Sequence, residues 1–143
     1  RISSVTDPAD SAHFRLISWR NAFTVFQDNM LFGVGYNTYR FAQKDYGFFD
    51  GDWGGHSGGG SDSSLLLVLA TTGIIGFLLF CGFLVIPIFT SISVSNSPWK
   101  FALLTSFPAL IANSFFINSL FYPQILFIWN LLLAGFIFSC NKS

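Results

Sequence analysis

The 143 residues carry no net charge, 52% of them are hydrophobic and only 10% are charged. This composition is too apolar for an ordinary soluble domain and indicates a membrane protein. The neutral balance also argues against nucleic acid as a partner, because a surface that binds phosphates would show an excess of basic residues.

Charged residues divide the chain into two parts. All seven acidic residues and five of the seven basic ones lie within the first 62 positions, and beyond them only Lys100 and Lys142 carry charge. We therefore predict a polar region over residues 1–62 and a membrane region over residues 63–143. Because the chain begins at Arg1 without a signal-peptide pattern, we expect it to be a piece of a longer protein whose upstream helices complete any site.

The polar region opens with an amphipathic helix, predicted over about residues 8–28. Asp7 is a good N-cap, Pro8 suits the first helical position, and Asp10 complements the helix dipole. Apolar side chains then recur at spacings of three and four, which forms a face able to lie on the membrane surface or to pack on other helices. This face consists of Leu16, Trp19, Phe23 and Phe26.

Glycines shape the rest of the polar region. Gly33 and Gly35 predict a tight turn before a short helix over about residues 38–45. A nucleotide-binding glycine motif does not fit, because the third glycine position holds Thr38 and no alternation of strands and helices surrounds it. Residues 47–62 are too rich in glycine for regular structure, so we predict a mobile loop in which Asp50 and Asp52 belong to a solvated turn.

Three apolar runs predict membrane spans at about residues 64–89, 101–121 and 123–140. The first contains 25 uncharged residues from Leu65 to Phe89, whereas about 20 are enough to cross the hydrocarbon core. Its small residues predict a closely packed neighbour, and polar residues in the later runs predict contacts between helices. The small residues are Ala70, Gly73, Gly76 and Gly82, and the polar ones are Asn113, Asn118 and Asn130.

The basic residues outside the first run indicate the orientation in the membrane. With three spans, Lys100 and Lys142 share one side, which the positive-inside rule assigns to the cytoplasm. The polar region then lies on the periplasmic or extracellular side. Its own basic residues carry little weight, since the rule weakens for long loops.

The order of three motifs resembles the C-terminal part of the bacterial O-antigen ligase and O-antigen polymerase superfamily. They are "RLISWRNAF" at 15–23, "DNMLFGVGYNTY" at 28–39 and "DSSLLLVLATTGIIG" at 62–76. The resemblance covers about residues 10–90. Met30 replaces a usual proline, and Asp62 stands where ligases usually carry a histidine.

This resemblance implies a multi-pass protein of the bacterial inner membrane with an all-α, GT-C-like fold. Its members transfer a glycan from an undecaprenyl pyrophosphate carrier to an acceptor glycan or glycolipid, on the periplasmic face and without a metal or other cofactor. The partners implied are therefore the lipid bilayer, the carrier-linked glycan and the acceptor. The aspartate at position 62, in place of the histidine usual in ligases, slightly favours a polymerase or a ligase with a different acceptor.

The chemistry of such a transfer indicates candidate site residues. Arginine stabilises the charge that develops on a pyrophosphate leaving group, because its planar fork binds phosphate oxygens with two hydrogen bonds. Arg15 matches the arginine of the family motif and is the first candidate, with Arg20 and Arg40 second. A base must accept the proton of the acceptor hydroxyl, and Asp62 or His56 can do so.

Other interpretations of these residues remain open at the level of sequence. Arg15 can pair with Asp10 or Asp28, Asp62 can act only as a helix cap, and His56 can be a solvated loop residue. The alternative function is that of a non-enzymatic membrane component, such as part of a flippase or transporter for lipid-linked glycans. That class commonly carries charged residues within its spans, and the three apolar runs contain none.

Overall fold

The chain is all-α over the residues that a computed structural model describes, namely 8–48, 60–92 and 97–140. No strand occurs within these ranges, which confirms the predicted helical class. The helices are α1 (Pro8–Asp28), α2 (Tyr39–Asp45), α3 (Ser64–Ile92), α4 (Pro98–Phe116) and α5 (Pro123–Cys140).

Within the described ranges, two helices, not the predicted three, are long and apolar enough to cross a membrane. They are α3 and α5, and only 11% of the most apolar window of each is buried inside the protein. The core helix of a soluble protein would instead be mostly buried. Apolar side chains that face outwards along both helices suit a lipid environment.

The prediction of a span over residues 101–121 is wrong because polar residues interrupt that segment. Helix α4 begins earlier, with Pro98 and Lys100, and ends at Phe116. Residues 117–122 form the connection to α5. Lys100, Ser106 and Asn113 lower the mean hydropathy of α4 below that of α3 and α5.

Helix α1 coincides with the predicted helix, but only part of its predicted apolar face packs against the protein, where Phe26 contacts the buried cluster that contains Ala22 and Val25. Ala22 and Val25 are fully buried, whereas Leu16 and Phe23 of the predicted apolar face are largely exposed. Small side chains allow α1 to approach α3 closely, which the larger aromatic residues would prevent. Trp19 lies at the edge of this contact, with its ring 5.9 Å from that of Phe116.

Helix α3 is broken at Gly73, and the glycine turn packs into the break. Gly73 has φ 65° and ψ −169°, a backbone conformation that essentially only glycine adopts. Val34 N donates to Ala70 O at 3.0 Å, and Ile74 N donates to Met30 O at 2.8 Å. The turn thus replaces the hydrogen bond that Ile74 N would make to Ala70 O in an uninterrupted helix.

The close neighbour predicted for the small residues of α3 is the backbone of the turn at Gly73, and helix α1 at Ala70, which is buried in one cluster with Ala22 and Val25. A side chain at Gly73 would overlap the Leu31 carbonyl, and one at Gly33 would overlap the backbone of Thr71. Gly76 and Gly82 have no such partner, since an added methyl group would meet only side chains of α3 itself. Only part of the predicted face is used.

Serine side chains, rather than the predicted asparagines, connect the start of α3 to the end of α4. Ser63 Oγ donates to Ser114 O at 3.3 Å, and Ser64 Oγ donates to Ile117 O at 3.1 Å. Asn113 instead donates to Ser119 and Asn130 to Leu126 of its own helix. Buried Asn118 Oδ1 has no hydrogen-bond partner among the described residues.

We predict that Gly73→Ala lowers the thermal stability of the purified protein substantially. An alanine would have to adopt the positive φ of this position, which costs about 1–3 kcal/mol, and its methyl group would collide with the Leu31 carbonyl. The measurement is thermal unfolding in lipid nanodiscs.

Gly82→Ala is the matched control for this substitution. Its methyl group would approach only Ile86 Cδ1, at 3.8 Å, so alanine should leave stability unchanged or raise it slightly through its better helix propensity. Equal melting temperatures for the two variants would contradict the structural role of the break.

Candidate functional site

Asp62 precedes α3 and is held there by α1. Its backbone N–H donates to Ser18 Oγ at 3.0 Å, across 44 residues of sequence, and the residue is exposed. The N-cap of α3 is Ser63, because Ser63 Oγ accepts from Leu66 N at 3.4 Å. Asp62 is therefore not the cap, and its carboxylate has no hydrogen bond or ion pair among the described residues.

The two arginines of α1 lie on different sides of that helix. Both are exposed. With about 100° between successive residues of an α-helix, Arg15 projects about 60° from Ser18, and Arg20 about 160° from it. Arg15 therefore lies one turn from the contact with Asp62, whereas Arg20 faces away from it.

The proposed pairing of Arg15 with Asp28 is wrong. Asp28 Oδ2 accepts a hydrogen bond from Tyr46 Oη at 2.8 Å, and the helical rise separates positions 15 and 28 by about 20 Å. The side chain of Asp10 lies outside the described residues.

Helix α2 brings Tyr39 and Arg40 to the same part of the molecule. Tyr39 is only 2% exposed, and its hydroxyl has no hydrogen-bond partner among the described residues. Burial raises the pKa of the Tyr39 phenol. The neighbouring Gln43 side chain lowers the pKa in part, although the two groups do not meet the geometry of a hydrogen bond, and the negative charge of Asp62 raises it further. Tyr39 thus stays protonated at neutral pH.

A cavity of about 130 Å³ lies between α2, α3 and the connection from α4 to α5. Its lining combines aromatic, amide, guanidinium, hydroxyl and aliphatic groups. The lining residues are Tyr36, Asn37, Tyr39, Arg40, Leu67, Thr71 and Phe121. Arg40 is exposed, and its guanidinium carbon lies 5.0 Å from the centre of the Phe41 ring.

The remaining predicted site residue, His56, lies outside the described residues, as do Asp50 and Asp52. Within the described ranges, no group of three or more His, Cys, Asp or Glu residues is arranged to hold a metal ion. Of the other candidates, Asp62 is bound through its backbone to Ser18 on the helix that carries Arg15, and Arg40 lines a cavity together with Leu67 and Thr71 of α3.

The interpretation of the sequence did not identify three residues of this region. Ser18 lies between the two motif residues Arg15 and Trp19, and the surrounding sequence gives no sign that its hydroxyl binds the backbone of Asp62. Ser63 is an ordinary N-cap candidate that Asp62 obscured. Tyr39 follows the glycine turn and begins α2. A tyrosine at such a position is usually interpreted as an ordinary core residue.

Comparison with known proteins identifies the family of the chain. No curated protein and no solved structure gives a significant match. The family described as O-antigen ligase matches residues 1–81, which is more than half of the 143 residues and includes α1, α2 and the first part of α3 up to Cys81. Both sides of the Gly73 break and all the candidate site residues lie within this match. The chain therefore belongs to the O-antigen ligase family.

Proposed function

We propose that the protein is a membrane glycosyltransferase that moves a glycan from an undecaprenyl pyrophosphate carrier to an acceptor sugar in the assembly of cell-surface polysaccharide. Membership of the O-antigen ligase family supports this reaction class. The observation that carries the proposal is the convergence of three distant segments near the start of α3, where Asp62 N donates to Ser18 Oγ and Tyr39 is buried in one cluster with Val25 and Ala70.

In the proposed step, the acceptor hydroxyl attacks the anomeric carbon of the donor glycan. The Asp62 carboxylate accepts the hydroxyl proton, the new carbon–oxygen bond forms, and the bond from the anomeric carbon to the pyrophosphate oxygen breaks. The electron pair of that bond leaves with the carrier pyrophosphate. His56 is the second candidate for the base.

Arginine side chains are proposed to hold the leaving pyrophosphate. Arg15 is the first candidate because it lies one helical turn from Ser18, and Arg40 is the second because it follows Tyr39 on α2. Arg20 is the weakest of the three, since it projects from the other side of α1. A guanidinium stays charged and binds phosphate oxygens in pairs, so the step is proposed to need no metal.

The site is proposed to face the periplasm, in the inner membrane of a bacterium. Asp62 and Lys100 lie beyond opposite ends of α3, so a membrane crossed by α3 separates them. Lys100 lies next to the end of α3, where its Nζ donates to Ile92 O at 3.3 Å. The positive-inside rule assigns that end to the cytoplasm.

Reconstitution tests the reaction. The protein, with any chain that flanks these residues in the gene product retained, is incorporated into nanodiscs with a glycan linked to undecaprenyl pyrophosphate. Lipid A core is the acceptor in one arm and a second carrier-linked glycan in the other. New glycosidic bonds detected by mass spectrometry in either arm, in the presence of EDTA, support the proposal and distinguish a ligase from a polymerase; none in either arm contradicts it.

We predict that Arg15→Lys lowers kcat/KM about 10- to 150-fold, because a hydrogen bond to a charged group contributes about 1.5–3 kcal/mol and lysine cannot form the paired contact. The measurement is the initial transfer rate at matched protein amounts. Lys44→Gln, which removes a positive charge from α2, is the control and should retain the wild-type rate. Full activity of Arg15→Ala would exclude a role for Arg15.

We predict that Asp62→Asn lowers the transfer rate by about 10² to 10⁴, the usual effect of losing a general base. Stability should not change, since Ser63 caps α3 and an asparagine keeps the backbone N–H that binds Ser18. Asp45→Asn on α2 controls for the loss of one negative charge. Near-normal turnover of Asp62→Asn, together with a slow His56→Ala, would move the base to His56.

A further inference from the structure

We propose that the apolar tip of the glycine turn, formed by Met30, Leu31 and Phe32, inserts into the hydrocarbon of the bilayer leaflet on the Asp62 side of the membrane. The polar region of the chain would then bind the bilayer directly, in addition to the contacts that α3 and α5 make with it. This inference requires that α3 crosses a membrane, but it does not require glycosyl transfer, so the two proposals can fail independently.

The side chains of the tip are exposed and adjacent in the sequence. Met30 is 53% exposed, Leu31 60% and Phe32 74%. They lie within a stretch without formal charge, residues 29–39, which is bounded by Asp28 and Arg40. Contiguous exposed apolar groups of this kind typically mark a contact with another protein or with a membrane. The tip therefore suits an apolar partner.

The surface of α3 changes its character at Gly73. The structure describes all of residues 64–73, and none of them is exposed. Beyond the break the helix turns apolar side chains outwards at once, and the first four exposed residues are Ile74, Ile75, Leu78 and Leu79. The surface of α3 that suits lipid thus begins directly after the break.

The length of α3 beyond the break matches the thickness of a bilayer core. With a rise of 1.5 Å per residue, residues 74–92 are about 27 Å long, and the hydrocarbon core is about 30 Å thick. The far end of this segment lies next to a charged group, because Lys100 Nζ donates to Ile92 O. If Ile92 lies at one boundary of the hydrocarbon, Gly73 lies at the other.

The tip is fixed to α3 at that boundary. Ile74 N donates to Met30 O at 2.8 Å, and a side chain at Gly73 would meet the Leu31 carbonyl. Tyr36, which is 79% exposed, follows the tip, and tyrosine is enriched where membranes meet water. The apolar tip is therefore continuous with the surface of α3 that suits lipid, so acyl chains that surround residues 74–92 would also reach the tip.

Insertion of the tip would set the depth of the candidate site. Helix α1 ends just before the tip, and α2 follows soon after it, so both helices would be held against the membrane surface. The first part of α3, which no exposed residue marks as lipid-facing, would lie outside the hydrocarbon core together with Asp62. A carboxylate at that depth can stay charged, whereas one inside the core would be costly.

Spin labels on single cysteines test the depth of the tip. In the full gene product, Cys81, Cys140 and any other cysteine are replaced by alanine, and one cysteine is introduced. Phe32→Cys reports on the tip, Ile75→Cys is the reference for lipid, and Asp45→Cys on the exposed end of α2 is the reference for water. For each label in nanodiscs, electron paramagnetic resonance measures collisions with oxygen, which dissolves in hydrocarbon, and with a water-soluble nickel chelate.

We predict that the label at position 32 collides with oxygen about as often as the label at position 75 and is protected from the nickel chelate. Frequent collisions with the chelate would overturn the proposal, because the tip would then lie in water. Protection from both reagents would also overturn it, because another part of the protein or a second copy would then cover the tip. The measurement needs no substrate, so a failure to detect transfer counts only against the proposed reaction.

A second variant tests the tip without a label. A charged side chain is costly in hydrocarbon, whereas a substitution on a surface exposed to water changes stability little. We predict that Phe32→Asp lowers the melting temperature in nanodiscs by several degrees and that Phe32→Leu, the matched apolar control, does not. An unchanged melting temperature of Phe32→Asp would overturn the insertion of the tip.

Discussion

The backbone exchange at Gly73 is the interaction on which the rest of the structure depends. In an uninterrupted helix Ala70 O would accept from Ile74 N, but here Ala70 O accepts from Val34 N and Ile74 N donates to Met30 O. Gly35 N also donates to Thr71 O at 2.8 Å. Breaking a helix of a membrane protein is tolerated only where other groups satisfy the freed N–H and C=O. The glycine turn supplies those groups, so the break and the turn are stable only together.

The candidate site is a consequence of that exchange. Because the turn is fixed to α3, the residues that follow it are also fixed, and Tyr39 is buried against α3 with Arg40 beside it. On the other side of the turn, α1 packs along the first half of α3 and presents Ser18 to the backbone of Asp62. The site therefore combines residues that lie far apart in the sequence. Loosening the turn would displace Tyr39 and Asp62 relative to each other, even though neither residue takes part in the exchange.

The sequence predicted the elements of this fold better than their contacts. The start of α1 follows from local chemistry, a proline after an N-cap candidate, and needs no tertiary information. The span over 101–121 failed because the prediction followed the run of apolar letters and gave too little weight to Ser106 and Asn113, and because α4 begins at Pro98 and so includes Lys100. Gly73 was recognised as small, but its positive φ depends on a partner backbone some 40 positions earlier. Similarly, the missing partner of the Tyr39 hydroxyl is a property of the packed structure, which no pattern in the sequence can express.

Asp62 lies where two different surfaces of the protein meet. On the side of α1 and α2, the neighbouring surface carries the charged Arg15, Arg40 and Asp45 together with exposed apolar side chains such as Leu16, and between Ser64 and Gly73 no residue of α3 is exposed. On the side of α4, Phe115 and Phe116 are half exposed at the level of Ser63, which binds Ser114. A lipid-linked sugar has the same division, with an apolar chain at one end and charged and hydroxyl groups at the other. The boundary between these two surfaces at Asp62 would therefore suit the lipid-linked donor proposed above, whereas a soluble sugar nucleotide would need only the charged side.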